Sequence, residues 1–401
     1  MEKKLKLGLL ALFMCASTAT FADDSFQWHG YMRGSMGMDT DFANLNKVDE
    51  EVHTLGRYGS EYDNFINSSL SKRWTDDKGQ WAQYNFSFSV FDYSNEYTNP
   101  TNDYGLVNTL DASDSYVEMG GLNFLPKDLS IWLGKRRVAS GIDLLDLDYK
   151  KISGQGFGFS SKSFDIGLYK ELDSGDMGEY ADIVAIDATY KLQGLSVEGT
   201  FTKATVDSTI PFIDSTKKGD SSVSILAEYK SNNFIGTLPG NTKYRAQFGK
   251  GVTADKLNMS VITDEKDTSY RFTVDGTTMT KNWTLNTLVN LESSKDDSLD
   301  LKYSNLSVIA RGTDRLTDNL SMIYEAGISN KTNINLAGIV DNNNDGTTYK
   351  LAAGPAIQLN TMPWIRPILR FSAEVIGGEK KVTGFDKENE LRFGAQFETW
   401  F

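Results

Sequence analysis

Apolar and polar residues alternate with a period of two along most of this chain. From position 84 to 90, for example, every even position is Tyr, Phe or Val, and the residues between them are Asn and Ser. Successive side chains of a strand point to opposite faces, so this pattern predicts strands with one apolar and one polar face. Helical spacing does not recur. Similar stretches occupy residues 162–170, 181–192, 195–203, 221–230, 243–250, 269–276, 283–291, 349–359 and 365–375, with turn clusters such as Asp173-Ser174-Gly175 and Asp275-Gly276 between some of them.

The end of the chain distinguishes a membrane barrel from a soluble sandwich or propeller, which also alternate. The odd positions from 391 to 401 are Leu, Phe, Ala, Phe, Thr and Phe, and the even positions carry Arg392, Glu398 and Trp400. A strand with one apolar face that ends on an aromatic residue is typical of outer-membrane barrels, where one face meets lipid and the other meets water. The sequence therefore predicts an all-β fold, a transmembrane antiparallel β-barrel.

The beginning of the chain predicts the compartment. Residues 1–22 read as a secretory signal peptide, with three lysines near the start, an apolar run over 7–14 and a small-residue cleavage site at Thr20-Phe21-Ala22. The only cysteine, Cys15, lies in this segment. Residues 23–401 would then form one barrel in the outer membrane of a Gram-negative bacterium, in contact with its lipid.

Length and composition set the size of the barrel. At about 20 residues for each strand with its turn or loop, the chain supplies about 18 strands, a size that leaves an aqueous channel. Aromatic residues make up 12% of the chain and only 7 residues are proline, which suits many strands. The formal charge of −13 disfavours nucleic acid as a partner.

Four aromatic residues fall on polar faces, which is unusual for a barrel wall. Tyr31 shares a face with Arg33 in the first strand, and Phe65 follows Arg57 by an even number of residues in a second strand expected over 57–67. Trp364 has the parity of Arg366 and Arg370, and Trp400 lies on the polar face of the last strand. These rings either form an interfacial girdle at a rim or provide flat surfaces on which sugar rings stack.

Several motifs resemble those of maltoporin-type carbohydrate porins. They are Phe26-Gln27-Trp28-His29-Gly30-Tyr31-Met32-Arg33, Arg57-Tyr58-Gly59-Ser60-Glu61, Ile131-Trp132-Leu133-Gly134-Lys135-Arg136, Ile152-Ser153-Gly154-Gln155-Gly156-Phe157-Gly158, Trp364-Ile365-Arg366-Pro367 and Phe393-Gly394-Ala395-Gln396-Phe397-Glu398-Thr399-Trp400-Phe401. The resemblance implies a homotrimer of 18-stranded barrels, a third loop folded inward as a constriction, and a line of aromatics that guides oligosaccharides. Members of this family serve maltodextrins, sucrose-type sugars or β-glucosides.

The resemblance also assigns roles to single residues. It places Tyr31, Phe65, Trp364 and Trp400 on the aromatic line, Phe65 in place of a tyrosine. It matches Arg33 and Arg57 to constriction arginines and Asp146 to an aspartate of the inward loop, and it puts Asp148 where maltodextrin-specific members have a tyrosine. A further constriction arginine, expected near Ser113, is missing, which leaves the preferred sugar open.

The constriction would be acidic if Asp143, Asp146 and Asp148 line it, which predicts a preference for cations. Alternatively, these aspartates hydrogen-bond the backbone of their own loop. An enzyme is not indicated, because His29 and His53 are the only histidines and no catalytic set, metal-ligand cluster or phosphate loop is convincing. We expect no cofactor and no metal. The main alternative is a general diffusion porin without sugar selectivity, and an adhesin or other structural barrel is the third.

Overall fold

The structure is a computed structural model. It describes residues 26–41, 44–45, 53–92, 109–171, 181–206, 221–251, 267–296, 301–334, 345–359, 366–379 and 389–401. The predicted signal peptide, Trp364 and the turn at Asp173-Ser174-Gly175 lie outside the described residues.

One continuous antiparallel sheet contains every described strand. Strand β1 pairs with β3 on one side and with β19 on the other, which closes the sheet into a barrel of 18 strands, as predicted. The two-residue strand β2 pairs only with the end of β1 and lies beside this ring. Within the described part of the chain, no helix is long and apolar enough to cross a membrane. The strands are β1 (Phe26–Asp39), β2 (Asn44–Leu45), β3 (Asn64–Thr75), β4 (Trp81–Asp92), β5 (Thr109–Gly120), β6 (Ser130–Ile142), β7 (Leu147–Ser160), β8 (Phe164–Glu171), β9 (Ala181–Leu192), β10 (Leu195–Val206), β11 (Ser221–Phe234), β12 (Leu238–Gly251), β13 (Thr268–Met279), β14 (Trp283–Asp296), β15 (Leu301–Arg315), β16 (Leu320–Ile334), β17 (Gly346–Gln358), β18 (Ile368–Gly378) and β19 (Asn389–Trp400).

The alternation in the sequence becomes the two faces of the barrel wall. On β16, Tyr324 and Ile328 are exposed on the outside, whereas Glu325 and Ser329 are buried on the inside. This is the arrangement of a membrane barrel, with an apolar belt toward lipid and a polar lumen. The outer membrane is therefore the location of the protein.

The two ends of the barrel differ in the length of their connections. Short turns at one end of the barrel join β3 to β4, β7 to β8, β9 to β10 and β13 to β14. Bacterial outer-membrane barrels have such short turns on the periplasmic side, so this end faces the periplasm. The chain ends at this side, where the main chains of Gly30 and Phe401 exchange hydrogen bonds of 2.9 and 3.0 Å. The rings of Trp28 and Phe401 meet edge to face at 4.9 Å.

Glycines let a large ring lie flat against the inner wall. Trp132 is buried in a cluster with Ile152 and Tyr169. A Cβ atom on Gly158 would stand 2.8 Å from the Trp132 ring, and one on Gly167 would stand 2.7 Å from it. Apolar side chains therefore also occur on the inner face, where small neighbours leave them room.

Two sequence predictions about local structure were wrong. Asp275-Gly276 lies inside β13 rather than in a turn, because Asp275 forms an ion pair with Arg245 and the place of a Gly276 side chain is taken by the ring of Phe234. The second strand begins at Asn64, so Arg57 precedes it. Gly56 and Gly59 adopt positive φ angles of 108° and 86°, which interrupt the extended backbone.

Candidate functional site

Residues 53–63 fold into the lumen, and we name them the first-loop segment. The buried ammonium of Lys350 on β17 donates to the main-chain oxygens of Gly56 and Tyr58 at 2.5 and 3.0 Å, and to Ser60 Oγ at 3.1 Å. Glu325 on β16 lies 2.9 Å from the same ammonium and accepts the Tyr58 N–H at 3.0 Å. Two wall residues thus supply partners for the backbone of this segment.

Strand β18 completes the attachment of the first-loop segment. Glu374 accepts hydrogen bonds from Ser60 Oγ at 2.8 Å and from the Tyr62 hydroxyl at 2.6 Å. The Tyr58 hydroxyl donates to the main-chain oxygen of Phe371 at 2.7 Å. The segment is therefore fixed to β16, β17 and β18 by polar and ionic contacts.

The third-loop segment, residues 142–149, also folds inward, as predicted. It joins β6 to β7, the third connection on the side of the long loops. The fully buried Leu145 packs with Leu226 on β11, Leu288 on β14 and Ile309 on β15. The Tyr149 hydroxyl donates to Glu228 on β11 at 3.2 Å. This segment reaches across the lumen and is held mainly by apolar contacts.

The two segments meet inside the barrel. The Arg57 N–H donates to the Leu144 main-chain oxygen at 3.2 Å, and His53 Nδ1 lies 2.5 Å from the Asp146 main-chain oxygen. Together the two segments occupy the part of the lumen that lies between β6–β7 on one side and β11–β18 on the other. A recess of about 450 Å³ remains beside β1 and β3–β6.

Three of the predicted aromatic residues lie together on the wall of this narrowed lumen. Tyr31 stands directly opposite Trp400 in the β1–β19 pair, so both side chains share one face. The rings of Tyr31 and Phe65 are 5.8 Å apart. The Trp400 side chain is 43% exposed, and the guanidinium of Arg366 lies 4.0 Å above its ring. The three rings form the aromatic line Trp400–Tyr31–Phe65.

The predicted constriction arginines are held by carboxylates. Arg33 makes a two-pronged contact with Asp63 at 2.8 and 2.7 Å and reaches Glu61 at 2.9 Å. Arg57 contacts Glu61 at 2.6 Å. Burial would raise the pKa of Glu61, but Arg57 and Arg33 outweigh it and hold that pKa below its usual value. Glu61 is therefore ionised at neutral pH and fixes both guanidinium groups.

A second ionic group lies beside Trp400, and the sequence prediction named none of its members as site residues. Glu398 accepts from Arg366 at 2.9 and 3.1 Å and also pairs with Arg370. The available signal was parity, because Glu398 shares the inward face of Trp400 and the two arginines share the parity of Trp364. Charged hydrogen-bonding groups thus flank the aromatic line on both sides.

The aspartates of the third-loop segment differ in their surroundings. Asp146 is exposed, and only its main-chain oxygen contacts His53. Asp148 is partly exposed and lies 3.5 Å from Arg137, a partner that sequence reasoning missed. The structure therefore brings Arg33, Arg57 and the aromatic line together and places both aspartates on the neighbouring segment.

Comparison with known proteins identifies the family. The sequence model of the LamB porin family matches residues 26–401. The chain is similar to a maltoporin of Hahella chejuensis, with 24% identity over all of this chain and 98% of that protein, and to maltoporin 1 of Klebsiella pneumoniae, with 26% identity over 100% and 99%. The crystal structure of OccAB1 from Acinetobacter baumannii shares the fold, with a TM-score of 0.51, 9% identity and coverage of 96% and 99%. A narrowed polar lumen inside a lipid-facing barrel is the architecture of a channel, and this chain belongs to the LamB porin family of outer-membrane porins.

Proposed function

We propose that this porin conducts neutral oligosaccharides across the outer membrane. The observation that carries the proposal is the aromatic line Trp400–Tyr31–Phe65 beside guanidinium–carboxylate pairs. Flat rings stack on the apolar faces of sugar rings, and ionised groups form the stronger hydrogen bonds to hydroxyls. The relatives named maltoporin support a sugar as the substrate.

The role of the predicted residues follows from this geometry. Tyr31, Phe65 and Trp400 guide the sugar, and the predicted Trp364 would extend the line from outside the described residues. Glu61 and Asp63 hold both arginines in place. The partly exposed guanidinium of Arg57 meets sugar hydroxyls without reorganising, and the buried Arg33, whose three nitrogens already contact carboxylates, fixes Glu61 beside it. Asp146 and Asp148 border the same passage. No step of this function requires a cofactor or a chemical reaction.

Sugar block of ion current in planar bilayers tests the proposal. A stacking line binds sugar at a limited number of sites, so block by maltodextrins, sucrose or a β-glucoside should saturate. A general diffusion porin, the alternative, would show no saturable block by any of them. Comparing the three sugars also determines the preferred class, which the replacements near Ser113 and at Asp148 leave open.

Replacing Trp400 by alanine makes the test specific. Stacking of a flat ring on an aromatic side chain is worth ~1–3 kcal/mol, so Trp400→Ala should weaken sugar block by about tenfold and leave open conductance similar or larger. Trp283→Ala is a matched control, because Trp283 is exposed on the outer face of β14. If sugar blocks folded Trp400→Ala channels as strongly as the wild type, Trp400 belongs to an interfacial girdle and does not bind sugar.

The family resemblance further suggests a homotrimer. The molecular mass of the purified porin in mild detergent, measured before and after heating, would test this assembly. The trimer is not needed for the sugar-binding argument, because all three rings of the aromatic line come from one chain.

A further inference from the structure

The aromatic line does not account for the recess that the two segments leave open in the lumen. It borders β1 and β3–β6, has a volume of about 450 Å³ and lies on the other side of Tyr31 from Trp400. Small-molecule sites commonly occupy clefts of about 300–1,000 Å³, so the recess is large enough for a sugar unit. Its lining includes Gln27, His29, Ser69, Ser71, Asn85 and Tyr116.

The recess lies next to the aromatic line and toward the periplasmic end. His29 and Gln27 precede Tyr31 by two and four residues on the same inward face of β1. Their opposite residues on β3 are Ser69 and Ser71, which are short and leave the space in front of them open. A sugar unit at Tyr31 therefore has this surface on one side and Trp400 on the other.

Neutral hydrogen-bonding groups dominate the recess. Ser69 and Ser87 share a hydrogen bond of 2.9 Å across β3 and β4, and Gln83 donates to Asn85 at 2.8 Å, which hold this part of the wall in a fixed arrangement. Gln27 and His29 are exposed side chains on the open side of the recess. Amide, hydroxyl and imidazole groups both donate and accept, which suits the hydroxyls of a sugar.

The charged residues at the far end of the recess are matched by opposite charges. Arg136 pairs with Asp165 at 3.0 Å and lies 4.9 Å above the Trp132 ring. The main-chain N–H of Arg137 donates to Asp114 at 2.8 Å, and its guanidinium faces Asp148 at 3.5 Å. Each guanidinium there faces a carboxylate that would repel an anion, so the chemistry favours a neutral ligand.

One aromatic residue offers a stacking surface inside the recess. Tyr116 lines it and is held edge to face against the buried Trp132, with ring centroids 6.4 Å apart, and the guanidinium of Arg136 lies 5.7 Å from the centroid of its ring. A ring braced in this way loses little freedom when a second ring stacks on it.

We propose that the recess lined by Gln27, His29, Ser69 and Tyr116 is a second binding subsite for a neutral, hydroxyl-rich sugar unit. The subsite rests on the proposed oligosaccharide function. It takes a sugar unit that lies beside Tyr31 on the side away from Trp400, and its recognition is through uncharged donors and acceptors. A longer oligosaccharide that contacts both sites therefore binds more tightly than a single sugar unit.

The test compares sugar block by a monosaccharide and by longer neutral oligosaccharides of the class that blocks the wild-type channel. Gln27→Ala combined with His29→Ala should weaken block by the longer sugar about tenfold, equivalent to ~1.4 kcal/mol. Block by the monosaccharide should change less, because it can remain on the aromatic line. Gln155→Ala is the matched control, since Gln155 is exposed on the outer face of β7.

The possible outcomes separate the two proposals. If no sugar blocks the wild-type channel, the proposed function fails. If sugar blocks the wild type and the folded double variant equally at every length, the function stands and the second subsite is overturned. A uronic acid of the same ring size should block more weakly than its neutral counterpart, and stronger block by the acid would also contradict a neutral subsite.

Discussion

The two segments that narrow the lumen are held in opposite ways. The first-loop segment is attached by ions and hydrogen bonds, with Lys350, Glu325 and Glu374 as its partners on the wall. The third-loop segment is attached by Leu144 and Leu145, which pack on apolar side chains from β11, β14 and β15. Both segments are buried in the same lumen, so their position alone does not explain the difference.

The backbone of each segment explains which kind of contact it needs. The third-loop segment is a tight hairpin in which Ile142 pairs with Leu147 and the Leu145 N–H donates to the Ile142 oxygen at 3.3 Å. The first-loop segment is irregular, and buried peptide groups that lack a partner are costly. Wall side chains must therefore satisfy its backbone, whereas a hairpin only requires a surface on which to pack.

The largest effect should come from removing the central cation of the first-loop segment. Lys350→Met leaves Glu325 and Glu374 without their shared ammonium, and breaking a buried ion pair costs ~3–5 kcal/mol. We expect the first-loop segment to detach from the wall. Single-channel recordings should then show a larger and more variable conductance.

Lys162→Met is the control for this variant, because Lys162 is exposed in the turn between β7 and β8. Its conductance should match that of the wild type. A Lys350→Met channel with wild-type conductance and normal resistance to limited proteolysis would show that the buried ion network is not what holds the first-loop segment.

A smaller effect is expected at the apolar attachment. Leu145→Ala removes a fully buried side chain, and leucine-to-alanine changes in a core cost about 2–5 kcal/mol. Because the hairpin keeps its own backbone hydrogen bonds, we expect a loosened rather than a detached third-loop segment, with a moderate rise in conductance. Leu145→Met should retain most of the packing.

The lipid-facing Leu133 provides the matched control for Leu145. It is 68% exposed on the outer face of β6, so Leu133→Ala removes the same atoms without touching the lumen. Equal conductance changes in Leu133→Ala and Leu145→Ala would refute the apolar anchor.

The same contrast shows which parts of the fold the sequence could predict. Alternation is a local property, and it predicted residues 181–192 as a strand with the bounds that β9 has. The alternation of apolar and polar residues is less regular on the strands that contact a segment folded into the lumen. Leu288 and Ile309 are apolar on the inner face because they receive Leu145, a contact between residues far apart in sequence.

The site was predictable to the extent that its residues lie in regular strands. Parity placed Tyr31 and Trp400 on the polar face, and the β1–β19 register sets them opposite each other. Parity does not apply to Arg57, because its segment is not a strand. The contact of Lys350 with Gly56 and that of Arg137 with Asp148 depend on tertiary folding, so no local sequence pattern predicts them.

The two segments also differ in how far the charges of their carboxylates are balanced beside the open lumen. In the first-loop segment, Glu61 and Asp63 are matched by Arg33 and Arg57. In the third-loop segment, Asp143 and Asp146 are exposed, and Asp148 faces Arg137 across 3.5 Å in a setting open to solvent, where such pairs contribute little. We therefore expect the third-loop segment to dominate the electric field at the constriction.

The smallest expected effect is on ion selectivity. Carboxylates at a narrow site favour cations, so the wild type should prefer cations, and Asp146→Asn combined with Asp148→Asn should move the reversal potential in a salt gradient toward that of an unselective channel. The second change also leaves Arg137 without its carboxylate, which adds to the shift. Asp77→Asn combined with Asp128→Asn is the matched control, because both residues are exposed in periplasmic turns. An anion-selective wild type, or an unchanged potential in the constriction variant, would mean that the third-loop carboxylates shape the segment without setting the field.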